Sequence, residues 1–173
     1  MSKRLAGGRV SGWVSGLAPH RRLAVLALAL LGSLAAVACD DDPTGPQTPE
    51  DVEFAASLGV NLAAMTRLPS GVYIQTLQAG EGEALVDGSR ARVDYALWLP
   101  SGQAIDAGED VEFPIAAGSV IDGFRFGVIG MKPGEDRLIV VPSQLGYGAS
   151  GVAGIPPHSV LVFRVVLRSF TPV

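Results

Sequence analysis

The chain has 173 residues, 48% of them hydrophobic and 17% charged, with a single cysteine, which suffices for one ordinary domain with appendages. Its formal net charge is −4, but five basic residues (Lys3, Arg4, Arg9, Arg21, Arg22) precede Cys39 with no acid among them. From Asp40 onward eight basic side chains face 17 acidic ones, a net charge of −9. That balance excludes a nucleic-acid binder built on Lys/Arg clusters, and one cysteine excludes an internal disulfide framework.

Residues 1–22 form a basic leader. Leu23 to Ala38 is an unbroken run of Leu, Ala and Val with one Gly and one Ser. At 16 residues it falls short of the roughly 20 that span a hydrocarbon core and has the length of a secretory h-region. It stops at Ala36-Val37-Ala38-Cys39, followed by three aspartates. Small residues directly before the only cysteine resemble the lipobox of a bacterial lipoprotein signal, although Ala36 stands where leucine is usual. The resemblance implies a signal peptide at 1–38 that is removed and a lipid on Cys39. A lipid-anchored protein of the bacterial envelope, facing the periplasm or exterior, is the expected product.

Residues 39–49, with three prolines, a glycine and several acids, read as a tether. Thr48-Pro49-Glu50-Asp51 has the composition of a helix start: a capping hydroxyl, proline in the first turn and acids at the positive end of the dipole. The arm at 50–69 is accordingly expected to be helical between Phe54 and Met65, or else extended, and to serve as spacer or packing arm.

After Pro69-Ser70-Gly71 the period changes to two. Val72 to Gln78 reads as a strand. Residues 91–99 alternate, with Ala91, Val93, Tyr95, Leu97 and Leu99 on one face and Arg92, Asp94 and Trp98 on the other. Pro100-Ser101-Gly102 turns the chain into a short strand ending near Asp106, and Val111 to Ile115 reads as another. Ile121, Phe124, Val128 and Met131 then fall three and four apart, one apolar stripe on a short amphipathic helix. Gly130 and Pro133-Gly134 end it. Leu138 to Val141 is a buried strand, and Gly146-Tyr147-Gly148 presents one aromatic from a loop. Leu161 to Leu167 alternates again. These elements predict an α+β domain at 70–173, a twisted antiparallel sheet of five to six strands wrapped around one short helix.

No cysteine–histidine cluster, phosphate-cradling glycine loop or nucleophile elbow stands in the sequence, so neither metal nor cofactor is expected. His20 lies in the leader, and His158 after Pro156-Pro157 reads as a turn residue before a general base. Singly, each aromatic could be ordinary core, and Asp106 could merely cap a turn.

The order of motifs goes further. VDYALWLPSGQAIDA, VIDGFRFGVIGMKPGEDRLIVVPSQLGYG and GIPPHSVLVFRVVL together resemble an FKBP-type peptidyl-prolyl cis–trans isomerase over residues 70–173. The resemblance implies catalysis by Tyr95, Asp106, Ile121, Phe124, Tyr147 and Phe163, with Ile105, Val120 and Ile155 completing the substrate pocket. In this picture the Ile121 N–H and the Tyr147 hydroxyl bond substrate carbonyls, and Asp106 is the lone acid at the edge. Ile105 replaces the usual pocket phenylalanine, Phe124 the common tryptophan, and Val111 stands where another aromatic is frequent. No arginine is placed to pair with Asp106. The expected partners are proline-containing segments and, through Cys39, a membrane; the expected state is a monomer. The alternative function is a tethered, chaperone-like binding module with little turnover.

Overall fold

Along Arg90–Trp98 (β3) alternate side chains turn inward, burying Ala91, Val93 and Leu97 while Arg92 stays in solvent. The computed structural model describes residues 45–173, so the leader, Cys39 and the start of the tether lie outside them. The described residues group as one compact unit. Its strands are Thr66–Arg67 (β1), Tyr73–Gln78 (β2), β3, Ala104–Pro114 (β4), Asp136–Val141 (β5) and Leu161–Thr171 (β6). They form one six-stranded sheet in the order β1-β2-β5-β6-β3-β4, every pairing antiparallel. The one α-helix among the described residues, Asp122–Val128 (α1), packs its Phe124 and Val128 into the inner-face cluster with Val93, Leu97, Ile139, Val141, Leu161, Phe163 and Val165. The expected sheet around one short helix is therefore the observed fold, with six strands.

The helix is shorter than its apolar stripe suggested. Ile121 is the N-cap in extended conformation, the helix ends where Ile129 takes a ψ of 136°, and Gly130 with its left-handed φ of 82° completes a turn that sets Met131 beyond it. Met131 is still fully buried in the same core. Two helical glycines allow α1 to lie flat on β5. A Cβ at Gly123 would come within 2.0 Å of Val141 Cγ1, and one at Gly127 within 2.5 Å of Ile139 Cγ2.

The two short strands expected around Asp106 and Val111 are one strand, β4. Val93 pairs with Val111 and Tyr95 with Gly108, so β4 carries an extra residue there and pairing resumes on both sides. Such a bulge bends a strand and raises its local twist. Asp110 takes the left-handed conformation at φ 53°, and charge holds it there. Arg92 grips its carboxylate at 2.7 and 2.9 Å, and its N–H donates to Asp94, which also receives Arg168. Glycine and aspartate in sequence resembled a turn because both tolerate such φ angles.

Leu138 to Val141 reads as uniformly apolar because β5 is covered on both sides. Ile139 and Val141 face α1, while Leu138 and Val140 join Tyr73, Val160 and Val162 under the N-terminal arm. That arm is not a continuous helix. It makes three isolated 3₁₀ turns, Pro49–Asp51, Ala56–Leu58 and Leu62–Ala64. The capping signal at Thr48 is used, since both its N–H and its hydroxyl donate to Asp51. Val52 then becomes extended and Gly59 left-handed. The residues that touch the sheet are Val52, Phe54, Leu58, Val60 and Leu62, spaced by two and four. That is the period of an extended chain lying on a surface, and a helix would turn half of them away.

Candidate active site

Four aromatic rings stand edge to face in a row across the inner face of the sheet. Tyr95 on β3 meets Phe113 on β4 with ring centres 5.5 Å apart, Phe113 meets Phe124 on α1 at 5.6 Å, and Phe124 meets Phe163 on β6 at 5.4 Å. Edge-to-face contact places positive ring edges on negative ring faces, so each ring fixes the tilt of the next. The row lines a cavity of about 230 Å³ whose other walls are Leu97, Asp106, Ser119, Val120, Ile121 and Tyr147. A larger hollow of about 530 Å³ elsewhere on the sheet is open and edged by Asp94, Glu109 and Arg164. The smaller one is lined by five aromatic and three aliphatic side chains beside Asp106 and Ser119.

Asp106 stands at the cavity's edge, where its Oδ2 accepts the Tyr95 hydroxyl at 2.6 Å and its Oδ1 accepts the Ala107 N–H at 2.9 Å. The bond to Asp106, with burial of the phenol, raises the Tyr95 pKa from the ordinary tyrosine value to about 12. Tyr95 thus keeps its proton and its donor role through the physiological range. Arg92 and Arg168 are spent on Asp110 and Asp94, so among the described residues no arginine pairs with Asp106. Gly108 makes room for this pair. A Cβ there would lie 2.9 Å from Tyr95 Cε1 and 2.7 Å from Val111 Cγ2.

The structure brings together around one cavity Tyr95, Asp106, Val120, Ile121, Phe124, Tyr147 and Phe163. Ile121 immediately precedes α1, where the helix's own ladder leaves the first N–H groups unpaired. Tyr147 precedes the 3₁₀ turn Gly148–Ser150, and among the described residues its hydroxyl has no hydrogen-bond partner.

Two expected lining residues are not there. Ile105 is the unpaired residue of a second bulge in β4, since Leu97 pairs with Asp106 and Trp98 with Ala104: it packs on the edge of the core while Asp106 takes the cavity. Ile155 is 3% exposed and closes a tight turn with Val152 through two backbone bonds. It borders a separate shallow hollow with Leu99, Gln103 and Pro156. Sequence reasoning also missed Phe113. It looked for the wall's aromatic at Val111 and found none, although Phe113 lies two residues on, at the position that shares a strand face with Val111.

These features agree with comparison to known proteins. The family model described as FKBP-type peptidyl-prolyl cis-trans isomerase matches residues 81–168. An FK506-binding protein of Neisseria meningitidis serogroup B is 41% identical over 102 residues, covering 56% of this chain and 94% of that protein. FK506-binding protein 4 of Rhizopus delemar is 36% identical over 109 residues, 61% of this chain but only 28% of that longer one. Among solved structures, FkpA from Escherichia coli superposes with a TM-score of 0.59 at 35% identity, covering 63% of this chain and 52% of its own. A peptidyl-prolyl cis-trans isomerase from Pseudomonas syringae gives 0.60 at 28% identity, covering 68% and 87%. With the sheet, the single helix and the aromatic cavity in place, the chain belongs to the FKBP-type peptidyl-prolyl cis–trans isomerase family.

Proposed function

We propose that this isomerase accelerates X–Pro rotation in polypeptides of the bacterial envelope, and that the aromatic cavity is where it does so. The observation that carries the reading is the row Tyr95–Phe113–Phe124–Phe163 lining a cavity with one acid at its edge. An imide bond resists rotation by about 20 kcal/mol because twisting it breaks conjugation. In the twisted state the carbonyl loses its amide polarisation, so its removal from water costs less than for the planar imide. Apolar walls therefore favour the transition state over the ground state. The Tyr147 hydroxyl and the Ile121 N–H would bond the flanking carbonyls and hold the peptide in register. Asp106, through Tyr95, fixes one ring of the wall.

The test is a proline-isomerisation assay on residues 40–173 with an apolar residue before proline, compared with Tyr147→Phe. One neutral hydrogen bond contributes about 0.5–1.5 kcal/mol, so kcat/KM should fall by roughly twofold to tenfold. A folded domain that gives no acceleration would remove the enzyme reading and leave the tethered binding module. Suppression of aggregation retained by a non-isomerising Asp106→Ala variant would point the same way.

The envelope location rests on the apolar run Leu23–Ala38 and on Cys39 with its flanking residues. Cells expressing the whole chain should incorporate labelled fatty acid into it, and Cys39→Ser should abolish the label. Equal labelling of both chains would sink the lipid anchor.

A further inference from the structure

We infer that the N-terminal arm is a positioning strap for the isomerase site, latched at Ser143 and at Pro100. The part concerning Tyr147 rests on the proposed role of that hydroxyl. The first latch is the Gln47 carbonyl, which accepts both the Ser143 N–H at 3.1 Å and the Ser143 hydroxyl at 2.9 Å. Ser143 is wholly buried and opens the 3₁₀ turn Ser143–Leu145. The Gly146 N–H returns to the Ser143 carbonyl at 3.1 Å. The bonding thus runs without a break from the arm to the residue before Tyr147. Gly146 also rests on Leu161, whose Cδ1 would stand 3.1 Å from a Cβ there.

The second latch is the Ala55 N–H, which donates to the Pro100 carbonyl at 2.8 Å. Pro100 begins the turn that feeds β4 and Asp106. Contact there is close, since a Cβ at Gly102 would come within 3.1 Å of Ala55 Cβ. Between the latches the arm is pinned to the sheet. Glu50 accepts the Tyr73 hydroxyl at 2.6 Å and pairs with Arg67 at 3.5 Å, and Pro49 is buried.

One segment, 47–55, therefore holds the turn that leads into β4 and Asp106 and the root of the loop that carries Tyr147, two of the cavity's polar side chains. The connection from β5 to β6 contains two short 3₁₀ turns and the tight turn closed by Val152 and Ile155. Fixing a free loop costs about 1–2 kcal/mol per residue, a cost that each substrate encounter would otherwise have to meet. The arm lies outside residues 81–168, where the family model matches.

Two substitutions on residues 40–173 weaken the latches separately. Ser143→Ala removes the hydroxyl bond. Ala55→Pro removes the N–H at a position whose φ of −57° already suits proline. Each should lower kcat/KM by about three- to tenfold, the scale of one hydrogen bond, while the urea midpoint shows a folded domain. The deciding readout is a double-mutant cycle with Tyr147→Phe. Ser143→Ala should cost little further turnover once the Tyr147 hydroxyl is gone. An undiminished loss in that background would show a general structural effect and overturn the coupling. Unchanged turnover in both latch variants would overturn the strap. If Tyr147→Phe alone is inert while both latch variants lose turnover, the strap stands and the role given to Tyr147 falls.

Discussion

Replacing Phe124 by leucine should lower kcat/KM for an X–Pro substrate by about tenfold to a hundredfold while the domain remains folded. Phe124 is the middle link of the aromatic row, touching Phe113 and Phe163 through tilted edges at 5.6 and 5.4 Å. Each such pair is worth about 0.5–1.5 kcal/mol beyond the area it buries. The two pairs hold the wall that would meet the twisted imide, and a misplaced wall costs transition-state contacts of similar size, about 1–3 kcal/mol, with each 1.4 kcal/mol tenfold. Leucine keeps the site apolar and much of its volume, so the stability cost should stay at about 1–3 kcal/mol, the worth of the two pairs. Isomerisation kinetics with a parallel urea titration separate the two effects. A variant with kcat and KM within twofold of the parent would exclude the aromatic row from the chemistry.

Arg137→Ala should remove about 3–5 kcal/mol of stability, the cost of breaking a buried ion pair from one side. Arg137 and Glu135 are 6% and 5% exposed, and their side chains meet at 2.6 Å. The same guanidinium donates to the carbonyls of Gly127 and Ile129 at 2.9 and 3.2 Å, which are the orphan acceptors at the C-terminal end of α1. Glu135 in turn accepts the Thr76 hydroxyl at 2.9 Å and the Lys132 N–H at 3.0 Å. One arginine therefore ties the helix that carries Phe124 to the strand beneath it. Removing it strands a carboxylate and two carbonyls away from water. Small domains hold only about 5–15 kcal/mol in total, so the urea midpoint should fall far below the parent's. Arg137→Met combined with Glu135→Gln should recover much of the loss, because replacing both charges leaves none unpaired. A single variant within 1 kcal/mol of the parent, on the scale of an exposed pair, would show that water reaches this network.

The elements that were legible in the sequence are those with a one-dimensional signature. The alternation in β3 and β6, the apolar run of β5 and the stripe of α1 state which face of each element is buried. Period and length identify each element because the backbone repeat is local. Tyr95, Asp106, Phe124, Tyr147 and Phe163 were legible through the order of motifs around them, since singly each resembles ordinary core or turn. Phe113 escaped because the register of β4 depends on a bulge, and the bulge depends on Arg92 and Asp94 across the sheet. Whether the arm is helical or extended was not legible for a related reason. Its capping signal is genuine, but the face it covers belongs to β2, β5 and β6, and contact with that face outweighs weak helix propensity.

The sequence alone determined that a sheet of five to six strands wraps one short helix, the buried faces of β3, β5 and β6, and most of the residues around the cavity, because these follow from local periodicity and motif order. Tertiary structure alone decided that Ile105 and Ile155 pack elsewhere, that Phe113 completes the row, that Arg137 caps α1, and that the arm is fastened at Ser143 and Pro100. Each of these rests on a contact between segments distant in the chain. Such contacts depend on register and on geometry across the sheet, which no window along the sequence contains.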